Sequence, residues 1–413
     1  MVEKLTLLKN ITLITPYEQI EDGFLIINND RILTLGNENE LGSFSFNFKD
    51  IIDLKGYIAV PGFIDIHTHG GAGIDITTQP EKLDELSKFK STTGVAYYLP
   101  TTWSEIAFKD LMNSLEIIAE GILKTSEPVG SIPIGVNMEA PFLYPGLGAH
   151  KGDFDVNPDK EKVKEILNRG KGCVKIINIA PELEGAFDAI TLFSNSGVIS
   201  SIGHSIAEPD ILALAIERGA NLATHLLNGT YPPSATEKGV VPVGLNEYLM
   251  IRDDVYAEAI VDHHGAHIHP IMLEILCRCK GINNIILITD SMFTAGLDPG
   301  NYQLSDGRTI HCDGYVNRLP DQHLTGSSMN LNKCLSSFIR QMDLPLTNAV
   351  KTVTVNPARL LGIEKEVGML QAGKKANITI VNEHMDVYMT IVHGKIVYRE
   401  SNITTGRNNY VRH

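Results

Sequence analysis

The chain has 413 residues, of which 43% are hydrophobic and 20% charged, with a formal net charge of −14. That length buries a large core and suits one large domain plus a small one, and the composition is that of a soluble globular protein. The acidic surplus disfavours a general role on nucleic acid or at a membrane surface.

The opening MVEKLTLLKN has no long apolar segment or cleavage-type pattern. No stretch approaches the ~20 apolar residues of a membrane span, so a cytoplasmic protein is expected. Cys173, Cys277, Cys279, Cys312 and Cys334 show no C-x-x-C spacing and read as free thiols in a reducing compartment. From the N-terminus, LTLLKN, FLIINND, RILTLG and IIDLKG are short β-like runs separated by turns, with no helical period. ANITIVNEH and VYMTIVHGKIVY repeat that character near the other end. The two ends, residues 1–56 and 373–413, are expected to assemble one small β-sandwich domain.

Between them, over 57–372, short apolar strands alternate with amphipathic helical segments. The candidate strands in order are YIAVPGFIDI, GVAYYLP, IPIGVNM, CVKIINIA, VISSIG, NLATH, VYAEAIV and NIILIT. Helical segments include PEKLDELSKFK, EIAFKDLMNSLEIIAEGIL, PDKEKVKEILNRG, EPDILALAIERG and HPIMLEILCRCKG. This rhythm predicts a (β/α)8 TIM-like barrel. An open doubly wound sheet lacks its supporting G-x-G-x-x-G turn after the first strand.

On that count the reactive residues fall at strand ends. His67 and His69 follow strand one, Glu139 ends strand three, His204 strand five, His225 strand six and Asp290 strand eight. The C-terminal strand ends form the face of a barrel that carries active sites. Each residue alone has an ordinary explanation: a hydrogen-bonded strand-end histidine, an ion-pair partner, a helix N-cap. Together they form a chemically coherent set. Neutral imidazoles with a carboxylate hold a catalytic divalent metal that keeps a position open for water. A further carboxylate, Asp290, can take the proton of that water and deliver it to a leaving group.

The ordered series PGFIDIHTHG, MEAPFL, GAHKG, SIGHS, THLLNG, GAHIHP, LITDSMFTAG, LTGSSMNL, VNPARLLGI and GMLQAGKKANITIV resembles the N-acetylglucosamine-6-phosphate deacetylase family of the amidohydrolase superfamily. The resemblance implies Glu139, His204 and His225 as principal metal ligands. It implies His67 and His69 as a first-strand pair that some members use for a second metal, and Asp290 as the catalytic acid/base. It places His267, Asn228, Gly229, His150 and Ala140 on the substrate. One or two divalent ions per chain, zinc or iron, and a homodimer are implied as well.

Two departures stand out. Where the family places an arginine for the neighbouring subunit's phosphate, the chain reads TYPPSATEKGVVPVG, with Thr236 and Glu237 near that place and Lys238 the nearest cation. VDHHGAHIHP also carries two additional histidines, His263 and His264, read as solvated loop residues. The expected reaction is hydrolysis of the acetamido group of N-acetylglucosamine 6-phosphate, or a close N-acetylhexosamine 6-phosphate, in amino-sugar catabolism. An unphosphorylated N-acetyl sugar or other small amide is the alternative substrate; a non-catalytic sugar-binding protein ranks below both. A cyclic-amide hydrolase is disfavoured because Lys175 lies inside strand four rather than at its end.

Overall fold

The structure is a computed structural model and describes residues 5–15, 17–44, 46–103, 106–125, 127–150, 157–230 and 238–401. Eight parallel strands form the ring: β1 (Phe63–Thr68), β2 (Val95–Thr102), β3 (Val136–Phe142), β4 (Val174–Ile179), β5 (Ile199–Ile202), β6 (Ala220–Ala223), β7 (Tyr256–Ile260) and β8 (Ile285–Ile288). Each pairs with the next. The ring closes through a Thr68–Ser291 bridge and a 2.9 Å hydrogen bond from the Asp290 amide to the His67 carbonyl. Every residue of β1, β2 and β3 is buried, as expected of parallel strands covered on both faces.

Side chains alternate between two cores. Ile64, Leu99, Ile176, Leu222, Ile260 and Ile286 come from six different strands and pack in one cluster. Residues from strands on opposite sides of the ring meet only inside it, so this cluster is the barrel interior. Ala358 and Leu360, from the helix Val355–Leu360, join that cluster. The alternate residues pack outward against helices, among them Leu83–Ser91, Phe108–Lys124, Lys160–Arg169, Pro209–Glu217 and Pro270–Lys280. Local signals fix several helix starts. Asp159 accepts from the amides of Glu161 and Lys162, and Pro209 and Pro270 occupy first-turn positions.

The terminal strands form one branched eight-stranded sheet in a separate small domain, built from both ends of the chain as the sequence predicts. Ile378–Val381 pairs antiparallel with Ile58–Pro61, which joins the two termini. Leu8, Leu25, Ile27, Ala59, Ile378 and Ile380 share its core.

Two features differ from the sequence reading. YIAVPGFIDI is two strands: Ile58–Pro61 belongs to the terminal sheet and Phe63–Thr68 to the barrel. The chain changes sheets at Gly62, where an added Cβ would lie 2.5 Å from the Cβ of Ala96. Four short antiparallel strands, Gly300–Gln303, Thr309–Cys312, Val316–Arg318 and Leu324–Ser327, follow β8. They carry Leu324, Thr325 and Gly326 to the barrel mouth.

Candidate metal centre and active-site cavity

The barrel delivers the predicted residues to one place, although Glu139 lies in the middle of β3 and His67 within β1 because both strands run past the ends that the sequence suggests. His204, His225 and Asp290 all have positive φ, 46°, 27° and 46°. Left-handed backbone at bulky residues costs energy and persists where surrounding structure imposes it, commonly at functional sites. In β1 the ladder register shifts between Asp65 and Thr68, which is where the strand presents His67; such irregularities re-aim side chains near active sites.

Glu139 Oε1, His204 Nε2 and His225 Nε2 form a triangle with sides of 2.9, 3.0 and 3.0 Å. Ligands ~2.0–2.1 Å from a tetrahedral ion lie ~3.3 Å apart, so this spacing suits three ligands of one cation. His67, His69 and Asp290 make a second group. There His69 Nε2 lies 3.0 Å from Asp290 Oδ1, and His67 Nε2 lies 3.5 Å from the same oxygen. Glu139 joins the groups, since its Oε2 is 3.3 Å from His69 Nε2.

Ring orientations agree with ligation. His69 Nδ1 bonds the Thr101 carbonyl at 3.1 Å, so that nitrogen carries the hydrogen and Nε2 is left for a ligand role. His67 Nδ1 lies 3.0 Å from Glu258 Oε2, while His67 Nε2 is buried with no hydrogen-bond partner among the described residues.

The electrostatics favour a cation at the centre. Burial opposes charge on His69, yet hydrogen bonds to Asp290 and Glu139 push it up to about 10. His225 is likewise opposed by burial and raised to about 9 through Glu139. Glu139 is held well below the carboxylate range, against its burial, by His204, His225 and His69. Protons on imidazoles thus supply positive charge that two buried carboxylates require. A divalent ion would supply it with deprotonated rings, so the residues present fit a metal.

The cavity above these groups is open to solvent and spans about 580 Å³ including its mouth. Of the predicted site residues, His69, Glu139, His150, His204, His225, Asn228, Gly229, His267 and Asp290 line it. His67 lies fully buried beside the ligand cluster rather than on the wall. Ala140 is placed elsewhere: it packs in the hydrophobic core, so its side chain does not reach the cavity.

The wall has two characters. Gly148, His150, Asn228 and Gly229 gather beside His204. Its ring meets that of His150 edge-on at 4.6 Å. Gly229 has φ +64°, and an added Cβ would lie 2.9 Å from His204 Cε1, so only glycine lets the turn approach the ligand. Trp103 faces His69 at 6.5 Å between ring centroids and clusters with Met292, and Ala149, between Gly148 and His150, packs on that apolar cluster. His267 Nδ1 is 3.0 Å from Asp262 Oδ2, and its buried Nε2 has no hydrogen-bond partner among the described residues. Burial works to raise Asp262, but hydrogen bonds from the His267 ring and the loop amides hold it far below the usual carboxylate range.

His263 and His264 are exposed and pack on Tyr315. Lys175 donates to the Gly172 carbonyl at 3.2 Å, at the opposite end of its strand from the site. Thr236 and Glu237 lie outside the described residues; Lys238 is exposed.

Two buried residues escaped the sequence reading. Glu258, in the middle of β7, receives the His67 ring and also the His225 amide at 3.1 Å. Trp103 follows β2 directly, because that strand runs two residues beyond GVAYYLP.

The sequence profile of the amidohydrolase family matches residues 58–397. The chain is 31% identical over 403 residues to N-acetylglucosamine-6-phosphate deacetylase of Bacillus subtilis (strain 168), covering 96% of this chain and 98% of that one. It is 29% identical over 338 residues to N-acetylgalactosamine-6-phosphate deacetylase of Escherichia coli O157:H7, covering 81% and 86%. A mutant N-acetyl-D-glucosamine-6-phosphate deacetylase from Mycobacterium smegmatis, solved with N-acetyl-D-glucosamine-6-phosphate, superposes with a TM-score of 0.83 at 26% identity over 96% of this chain and 100% of that one. The strand-end histidines and carboxylates, the barrel that gathers them and these likenesses agree: the chain belongs to the amidohydrolase family, and within it to the N-acetylglucosamine-6-phosphate deacetylase family.

Proposed function

We propose that this chain hydrolyses the acetamido group of N-acetylglucosamine 6-phosphate, or of a close N-acetylhexosamine 6-phosphate, to acetate and the amino sugar phosphate. This reading rests on the placement of Asp290 beside the ligand triangle, on the wall of the open cavity that the triangle shares. Glu139, His204 and His225 would hold one divalent ion; His67, His69 and Asp290, with Glu139 shared, would hold a second. When bound, such an ion supplies Lewis acidity that acidifies a water toward neutral pH and polarises an amide carbonyl.

The residues of the chain do the rest. Asp290 turns Oδ1 toward His69 and His67, leaving Oδ2 for proton transfer. It takes one proton as water oxygen adds to the acetamido carbon, and returns it to nitrogen as the C–N bond breaks. His267, fixed by Asp262, presents Nε2 to a sugar hydroxyl or, when protonated, to an anion. The Asn228 side-chain Nδ2 is buried without a hydrogen-bond partner among the described residues and is available to the phosphate side of the substrate. A homodimer belongs to the same reading, on the strength of the family resemblance, and light scattering tests it.

One observation favours a second substrate. Among the described residues, no lysine or arginine lines the cavity, which leaves a phosphate without a cationic partner from those residues. An unphosphorylated N-acetyl sugar is therefore the competing reading. Comparing acetate release from phosphorylated and plain N-acetylglucosamine decides between them, and equal kcat/KM would remove the phosphate from the assignment.

A further inference from the structure

Trp103 is the single tryptophan of the chain and is 4% exposed at the cavity wall. Its placement is over-determined. The indole Nε1 donates to Asp75, lying 3.3 Å from both carboxylate oxygens. Its backbone amide donates to Thr77 Oγ1 at 3.1 Å. Asp75 in turn accepts from the Thr77 amide at 2.9 Å, so one short segment holds the tryptophan by side chain and backbone together. Met292, Leu304, Ile310 and Leu319 share an apolar cluster with the ring, and Met292 lines the cavity as well.

A tryptophan whose polar edge is satisfied away from the cavity offers the cavity only hydrocarbon. It stands beside His69, the residue that touches Asp290. The hydrogen-bonding wall of Gly148, His150, Asn228 and Gly229 lies beside His204 instead. An N-acyl amino sugar has the same polarity: a hydroxylated ring on one side of the amide and a methyl on the other.

We propose that Trp103, oriented by Asp75 and packed with Met292, forms the acyl wall that limits the substrate to short N-acyl groups, with acetyl the best fit. This rests on the deacylase reading above. In it Trp103 touches substrate, whereas Asp75 is a positioning residue that acts through the indole. A rigid apolar wall discriminates one methylene by about 10- to 200-fold.

The test is kcat/KM for the N-acetyl, N-propionyl and N-butyryl forms of glucosamine 6-phosphate. Wild-type enzyme, Trp103→Leu and Trp103→Phe are compared. The wild-type enzyme is expected to favour acetyl over propionyl by tenfold or more. Trp103→Leu should raise the propionyl-to-acetyl ratio by about tenfold, and Trp103→Phe should raise it less.

Asp75→Ala frees the indole and should shift the ratio in the same direction. Asp75→Asn keeps an acceptor and should restore it; a merely structural role for Asp75 would lower all three rates together. Equal wild-type turnover of acetyl and propionyl substrates overturns the proposal without any variant. So does an unchanged ratio in Trp103→Leu that still deacetylates. Either result leaves the deacylase reading standing, whereas absence of turnover on every N-acyl sugar by the wild-type enzyme removes both.

Discussion

Glu258 is the most informative residue to perturb, because one buried carboxylate reaches both ligand groups. It has no solvent exposure, its Oε2 lies 3.0 Å from His67 Nδ1, and the same oxygen accepts from the His225 amide at 3.1 Å. The two contacts differ in kind: the first orients an imidazole ring, whereas the second fixes only backbone. Glu258→Gln keeps the volume and one acceptor but removes the charge that holds the His67 ring. Loss of a carboxylate behind a ligand histidine typically weakens metal binding by about 10- to 100-fold, or about 1.4–2.7 kcal/mol. That loss is expected at the His67/His69/Asp290 group, with a much smaller effect at Glu139/His204/His225. Glu258→Leu also strands two buried donors, which costs about 1–3 kcal/mol each, so its folding stability should fall visibly. The assay is metal per chain after dialysis against graded chelator. Identical chelator midpoints for wild-type and Glu258→Gln would refute the reasoning, as would parallel loss of both ions.

Asp290→Asn should lower kcat by about 10²–10⁴-fold while the ion at Glu139, His204 and His225 stays, read by acetate release alongside elemental analysis. Apo protein carries protons on His69 and His225, whose values are raised to about 10 and about 9. An incoming ion must displace them, so its apparent affinity should rise with pH, about tenfold per unit per proton displaced, with the slope easing above pH ~9 and the rise ending above pH ~10. Chelator competition from pH 6 upward checks this, and a flat profile would contradict it. Lys90 and Asp65, 1% and 0% exposed, form a buried pair at 3.5 Å, and Lys90 also donates to Ser291 at 2.9 Å. Lys90→Met strands the carboxylate and should cost about 3–5 kcal/mol of stability in urea unfolding.

The barrel was legible because its strands are short apolar runs between well-marked helices. All eight runs contain barrel strands, and the helix Lys160–Arg169 follows an aspartate cap that the sequence displays openly. The candidate ligands were legible for a related reason: a (β/α)8 barrel brings strand ends together, so histidines 158 positions apart, His67 and His225, need no local motif to meet. Glu258 was not legible, since it sits inside the run VYAEAIV whereas Glu139 follows the run IPIGVNM, although both are mid-strand in the structure. A glutamate inside an otherwise apolar parallel strand was the available signal, for such a position is buried on both faces and needs a partner. The hairpins over 300–327 hid in a glycine- and aspartate-rich stretch, although Asp306-Gly307 and Asp313-Gly314 are turn pairs. Ala140 went astray because a strand alternates: its neighbour Glu139 faces the cavity, and it therefore faces the core.

The central claim is tested most directly by acetate released from N-acetylglucosamine 6-phosphate and from N-acetylglucosamine by metal-loaded protein, chelator-treated protein and Asp290→Asn. Turnover is expected to favour the phosphorylated sugar, collapse on chelation, return with a divalent ion and be nearly absent in the variant. Undiminished acetate release by Asp290→Asn, or by fully metal-depleted protein, would contradict it.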